Sequence, residues 1–148
     1  MSAGTALKRT RNVLACLAAA RPVVSVAWVD ACASAGSVVE ADRYLIRDSA
    51  VEKEFRFKMT ESLDSARRNK LLSGQALYVL PGSLAVCDML CEVAPLAGAR
   101  ITHSVDDATI VLGTAGASAQ ERSRAEAAKK TVREPEWLLS AIMQQQLP

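Results

Sequence analysis

Histidine is almost missing from this chain: His103 stands alone among 148 residues. Without a second imidazole or a convergent pair of carboxylates, general acid-base chemistry has few candidates, so a hydrolase or transferase is the least favoured class. Thr5, Thr10 and Ser25 are hydroxyls with no base beside them, and a hydroxyl near a helix start reads as a cap. A metal site loses support for the same reason. Cys87 and Cys91 are spaced for one helical face, yet neither a second cysteine pair nor another histidine accompanies them. No cofactor is expected.

Two further absences narrow the class. No apolar run approaches the roughly 20 residues of a membrane helix, and Met1 to Thr10 lacks the apolar middle of a signal peptide. The expectation is a soluble, non-exported chain with no membrane partner, whose four cysteines (Cys16, Cys32, Cys87, Cys91) are small apolar residues in a reducing compartment. A phosphate-cradling glycine loop is also missing. LGTAGASA, with Gly113 and Gly116, follows a strand and precedes a helix, but it lacks the lysine and spacing of a nucleotide loop, so its glycines read as turn formers.

An excess of basic over acidic charge is found only at the front. Lys8, Arg9, Arg11 and Arg21 occur in residues 1–21 with no acid, whereas residues 75–148 carry six basic and eight acidic groups. A general nucleic-acid binder spreads its cations over a face, so this asymmetry points to a local anion site; a weak DNA-end contact through the basic lead is the competing reading.

What the chain does have is apolar material, 50% of its residues, and a duplicated signature. PVVSVAWVDACASAG and KTVREPEWLLSAIMQQ each run from a β-branched stretch into a helix with tryptophan in its first turns, and Trp28 and Trp137 lie 109 residues apart. Each tryptophan is expected to anchor its helix on a sheet. The second copy has a full set of elements from about Gln75 onward, whereas the equivalent start of the first falls before Met1, so the first module is read as missing its front.

Periodicity supplies the elements. Thr10 to Ala20 reads as an amphipathic helix, Pro22 to Val26 as a buried strand, and Trp28 to Ala35 as a helix capped by Gly36. In residues 37–74 the run EKEFRFKMTESLDSARRNKLL is too apolar for a floppy tether, and Thr60 is placed to cap a helix ending at Arg67, Arg68 and Lys70. From Gln75 the order is strand, helix (Val86 to Leu96, with Pro95 at its end), strand (Ala99 to Thr102), strand (Ala108 to Leu112), helix (Ala117 to Lys130, with Arg122 facing Glu126), strand at Val132 and helix at Trp137. Such an order requires an α/β fold: a small four-stranded parallel sheet with helices on both faces. Gly98 marks the turn before the second strand.

These residues resemble a tandem BRCT module. RTRNVLACLAAARPVVSVAWVDACASAG is similar to the second half of a first repeat, YLIRDSAVEKEFRFKMTESLDSARRNKLLSGQALYVLPG to an inter-repeat linker, and ATIVLG and EPEWLLSAIMQQ to late elements of a second repeat. The resemblance implies a partial first repeat at 1–40, a structured linker at 41–74 and a complete second repeat at 75–148. It also implies a non-enzymatic, nuclear interaction module of the DNA damage response and DNA repair, a scaffold that reads phosphoserine in a nuclear protein or histone tail.

Residue by residue, the family's helix motif falls on Arg9, Thr10, Arg11 and Asn12. Arg9 matches the arginine that holds the peptide backbone near the third position after phosphoserine, and Asn12 stands where a phosphate-binding lysine is usual. The family's Ser/Thr-Gly element has no counterpart, and Ser2 to Gly4 map to the end of a third strand. Lys8, Arg11 and Leu14 complete the implied peptide-binding set, with Trp28, Trp137 and Gly98 as scaffold. Phosphate binding is expected to be weakened, since each charge-assisted hydrogen bond is worth roughly 1.5–3 kcal/mol.

Overall fold

The computed structural model describes residues 6–148. Thr5 and the Ser2 to Gly4 assignment lie outside them.

Seven α-helices and four strands follow in the order α1 (Arg11–Ala18), α2 (Ala27–Ala35), α3 (Ser49–Glu54), α4 (Met59–Arg68), β1 (Ala76–Val79), α5 (Leu84–Leu96), β2 (Arg100–Ile101), β3 (Ile110–Leu112), α6 (Ala119–Ala127), β4 (Val132–Arg133) and α7 (Pro135–Gln144). A single turn of 3-10 helix at Asp42–Tyr44 precedes α3. All four strands are parallel in the order β2-β1-β3-β4, and all lie in residues 75–148.

The two-residue period of a strand divides the apolar side chains between two layers. Leu77, Ile110 and Leu112 join the larger cluster with Leu90 and Val93 of α5 and Leu138, Ile142 and Met143 of α7. Leu80 and Val111 face the other way, toward Ala125 of α6, with Tyr78 and Val132 at the margin. Helices therefore cover both faces, as a short parallel sheet requires.

The amino-terminal third builds onto the larger layer. Val13, Leu14, Leu17 and Ala18 give α1 its buried face, and α1 packs against α5, α7 and α4. Phe57 and Met59 close the same cluster from the linker, and the buried Ser62 hydroxyl donates to the Met143 carbonyl at 2.6 Å, tying α4 to α7. Gly98 has φ +101°, and a Cβ there would lie 3.0 Å from Lys70 Cβ and 3.2 Å from the Ser73 nitrogen. Only glycine lets the end of α5 approach the linker so closely.

The structure corrects four expectations. Pro22 to Val26 is no buried strand of the sheet: Val24 forms one antiparallel bridge with Leu45 of the linker, Val26 is exposed, and the amides of Ser25 and Ile46 donate to Tyr44 and Val23 carbonyls at 2.9 Å. Lacking a parallel neighbour, the segment takes its pairing from the nearest free backbone. Trp28, without a sheet beneath it, instead donates its indole N–H to the Val39 carbonyl at 2.9 Å. Thr60 falls inside α4, where the Lys58 side chain gives no cap and the Glu52 carboxylate instead accepts from the Met59 amide at 2.9 Å. Arg122 passes over Glu126 to donate to the Thr114 carbonyl at 2.8 Å and to approach Glu134 at 3.7 Å. Gly116 acts as the turn former expected of it: with Gly82 it lets two loops close on each other, the Ser83 amide reaching Thr114 Oγ1 at 3.3 Å.

Candidate functional site

Arg9 lies just ahead of α1, where two contacts fix the entering chain. Thr10 is the N-cap of α1, its hydroxyl accepting from the Val13 amide at 3.4 Å, and the Leu7 amide donates to Asp48 Oδ2 at 3.1 Å. The Arg9 guanidinium reaches α7, where it pairs with both carboxylate oxygens of Glu136 at 2.6 and 2.7 Å. It also lies 4.4 Å from the centroid of the Phe55 ring. A forked pair and an aromatic contact hold one planar cation in a single orientation.

Glu136 is held in turn. It sits in the first turn of α7, where a carboxylate complements the helix dipole, and Ser140 Oγ donates to it at 2.9 Å. The Arg9 hydrogen bonds, with help from Ser140 and against the cost of burial, lower the Glu136 pKa. Gln144, two turns along α7 from Glu136, donates to the Phe55 carbonyl at 3.2 Å. Beside this cradle opens a cavity of about 370 Å³ lined by Glu54, Phe55, Arg56, Glu136, Ser140 and Gln144.

The other predicted site residues separate. Lys8 and Asn12 are exposed beside the cradle, whereas Arg11 turns to α5 and pairs with Glu92. Leu14 is 2% exposed and belongs to the core. Trp137 packs on the larger cluster as a scaffold residue, with the Arg133 guanidinium 4.5 Å from its ring, although its buried indole N–H has no partner. Among the described residues no three metal-ligating side chains gather, and burial, followed by the charges of Cys87 and Asp88, raises the pKa of the Cys91 thiol.

Sequence reasoning missed the cradle's far wall. Phe55 and Glu136 were both inside segments singled out for other reasons, EKEFRF and EPEW. Nothing in one sequence pairs residues 127 positions apart, so their convergence on Arg9 shows only after folding.

No protein-family profile matches the chain. Among curated proteins it is similar to the mediator of DNA damage checkpoint protein 1 of Homo sapiens, 34% identical over 76 residues, which is 51% of this chain and 4% of that protein. The Rattus norvegicus counterpart is 24% identical over 143 residues, 95% of this chain and 11% of that protein. PAX-interacting protein 1 of Bos taurus is 26% identical over 93 residues, 63% and 10% of the respective chains. The chain thus spans about a tenth or less of these relatives. Among solved structures, the BRCT5-BRCT6 domains of S. pombe Brc1 superpose with a TM-score of 0.71 at 17% identity, covering 95% of this chain and 76% of that one. The parallel sheet in the order β2-β1-β3-β4, the helices on both its faces and this superposition agree on one conclusion: in fold, the chain is a BRCT module.

Proposed function

We propose that the chain is a non-enzymatic protein-interaction module of the DNA damage response, divided as 1–40, 41–74 and 75–148. In this reading it binds a phosphoserine-bearing segment of a nuclear protein or histone tail in the groove where α1, the linker and α7 meet. The observation that carries the reading is the Arg9 cradle. Both terminal nitrogens of Arg9 are engaged by Glu136, but a guanidinium has five N–H donors, so others remain for a peptide carbonyl or terminal carboxylate. At 19% exposure the side chain is largely desolvated yet reachable.

The phosphate lies at the start of α1, where first-turn amides have no carbonyl partner in the helix and favour an anion. Lys8 supplies charge there, and Asn12 an uncharged amide donor. One flexible lysine and one amide make a weaker phosphate site than a fixed lysine joined by backbone and hydroxyl donors. The competing DNA-end reading is less favoured because Glu136 and Glu92 neutralise Arg9 and Arg11.

Fluorescence polarisation with matched phosphorylated and unphosphorylated peptides tests the proposal. The phosphorylated member is expected to bind about tenfold or more tightly, the worth of one charge-assisted contact, and Arg9→Gln to weaken both. Equal affinity for the two peptides would make the chain a phosphorylation-independent scaffold. A salt-steep affinity for end-bearing duplex would favour DNA.

A further inference from the structure

A second polar cleft, of about 420 Å³, opens between α4 and the end of α7. It shares two lining residues, Arg56 and Gln144, with the cavity beside Arg9, so the two form one strip of surface divided by those side chains. The strip runs from Glu136 and Ser140 of α7 across the linker residues Phe55 and Arg56 to α4.

The charges in this cleft are unevenly satisfied. Lys58 is paired with Glu61 at 3.1 Å, and Asp64 lies 3.7 Å from Arg67. The Ser62 hydroxyl is committed to the Met143 carbonyl. Arg56 and Arg68 are both exposed and form no ion pair among the described residues. Arg56 adopts φ +53°, a left-handed conformation that costs a side-chain-bearing residue about 1 kcal/mol or more. That strained turn puts Arg56 on the wall between the two cavities. From Lys58 to Arg68, α4 runs about 15 Å at ~1.5 Å per residue, the reach of four or five extended residues at roughly 3.3 Å each.

We propose that this cleft is a second anion-reading subsite, in which Arg56 and Arg68 hold acidic side chains of the bound segment lying beyond the position held by Arg9. The inference rests on the peptide-binding reading above and adds a specificity to it. The ligand is an acidic stretch following the phosphoserine, recognised by two guanidiniums that form no ion pair among the described residues, in a cleft lined by three basic side chains (Arg56, Lys58, Arg68) against two acidic ones (Glu61, Asp64). Exposed pairs of this kind are individually weak, so the subsite sharpens selection among phosphorylated segments without dominating affinity.

The test uses the whole chain and two phosphoserine peptides, identical except for a four-residue tail of Glu or of Gln. The Glu tail is expected to bind about fivefold more tightly at low salt, with the advantage shrinking as ionic strength rises. Arg68→Gln is expected to reduce that advantage to about twofold while leaving the Gln-tail peptide unaffected. Equal binding of the two tails, or an equal loss for both in Arg68→Gln, would overturn the subsite. A second measurement separates this inference from the reading beneath it. The Glu tail alone, without phosphoserine, is titrated to millimolar concentration while the arginine Nε–Hε NMR signals are followed. Shifts confined to Arg56 and Arg68 support the subsite even where phosphoserine adds nothing, and their absence overturns it.

Discussion

Glu136 shows how one carboxylate can tie binding to stability. Its pKa is lowered from an ordinary value of 4.5, chiefly by the Arg9 hydrogen bonds. A group depressed on folding contributes stability that is complete above its unfolded pKa and is lost as pH falls through the folded value. Asp42, held down by Arg67, behaves alike; so does Glu52, where hydrogen bonds from Arg47 and the Met59 amide outweigh burial. The melting temperature is therefore expected to be level near neutrality and to fall below about pH 4.5. Glu136→Gln should flatten part of that decline, as read by thermal melts across pH 2.5–7 (about the range these carboxylates titrate). A slope identical to that of the unaltered chain would show that the Arg9 pair contributes nothing to folding.

At the scale of elements, helix ends carry most of the backbone strain. Ala20, Arg56, Lys129 and Gln145 follow α1, α3, α6 and α7 with φ between +52° and +58°, and after each the next amide reaches back to close the helix, as Lys130 does to Ala125 at 3.0 Å. Glycine is the residue suited to that position. Lys129 is exposed and forms no salt bridge among the described residues, so Lys129→Gly is expected to raise unfolding free energy by about 0.5–1 kcal/mol in urea. The Val24–Leu45 bridge gives a second expectation. Two hydrogen bonds without a flanking ladder open more easily than the sheet, so the Ser25 and Ile46 amides should exchange well before those of Leu77 and Leu112. Protection equal to that of the central strands would mean that this bridge belongs to the cooperative core.

For the whole molecule, the decisive feature is that α1, the linker and residues 75–148 share one apolar cluster. The strands and three helices of residues 75–148 form every sheet contact, yet their outer helices α5 and α7 use Leu14 and Leu17 of α1 as part of their cover. A fragment of residues 75–148 is thus expected to keep helical circular dichroism but bind a hydrophobic dye and melt broadly. Within the intact chain, Leu17→Ala should cost about 2–5 kcal/mol, the range for a buried leucine. A sharply melting, dye-silent fragment would show that the amino-terminal third is an appendage.

Much of this was legible beforehand because it depends on local pattern. The period of Val13, Leu14 and Leu17 gave α1, short apolar runs gave β1 and β3, Gly36 marked the end of α2, and the order of elements from Gln75 admitted little besides a parallel sheet. The site was legible only in part. The motif singled out Arg9, just ahead of α1, and Leu14, five residues on and inside that helix; Leu14 belongs to the core, because a residue's side of a helix is settled by what packs there.

Sequence alone therefore determined most of the elements, their order and the residues able to form a core, since those follow from propensity and periodicity along the chain. Tertiary structure decided the partners. It placed Glu136 and Phe55 around Arg9, gave Arg11 to Glu92, paired Val24 with the linker and left Arg56 and Arg68 in one cleft with no ion pair among the described residues. The reason is physical: charges and open backbone groups act over a few ångströms of space regardless of separation in sequence, so their partners exist only once the apolar layers have brought distant segments together.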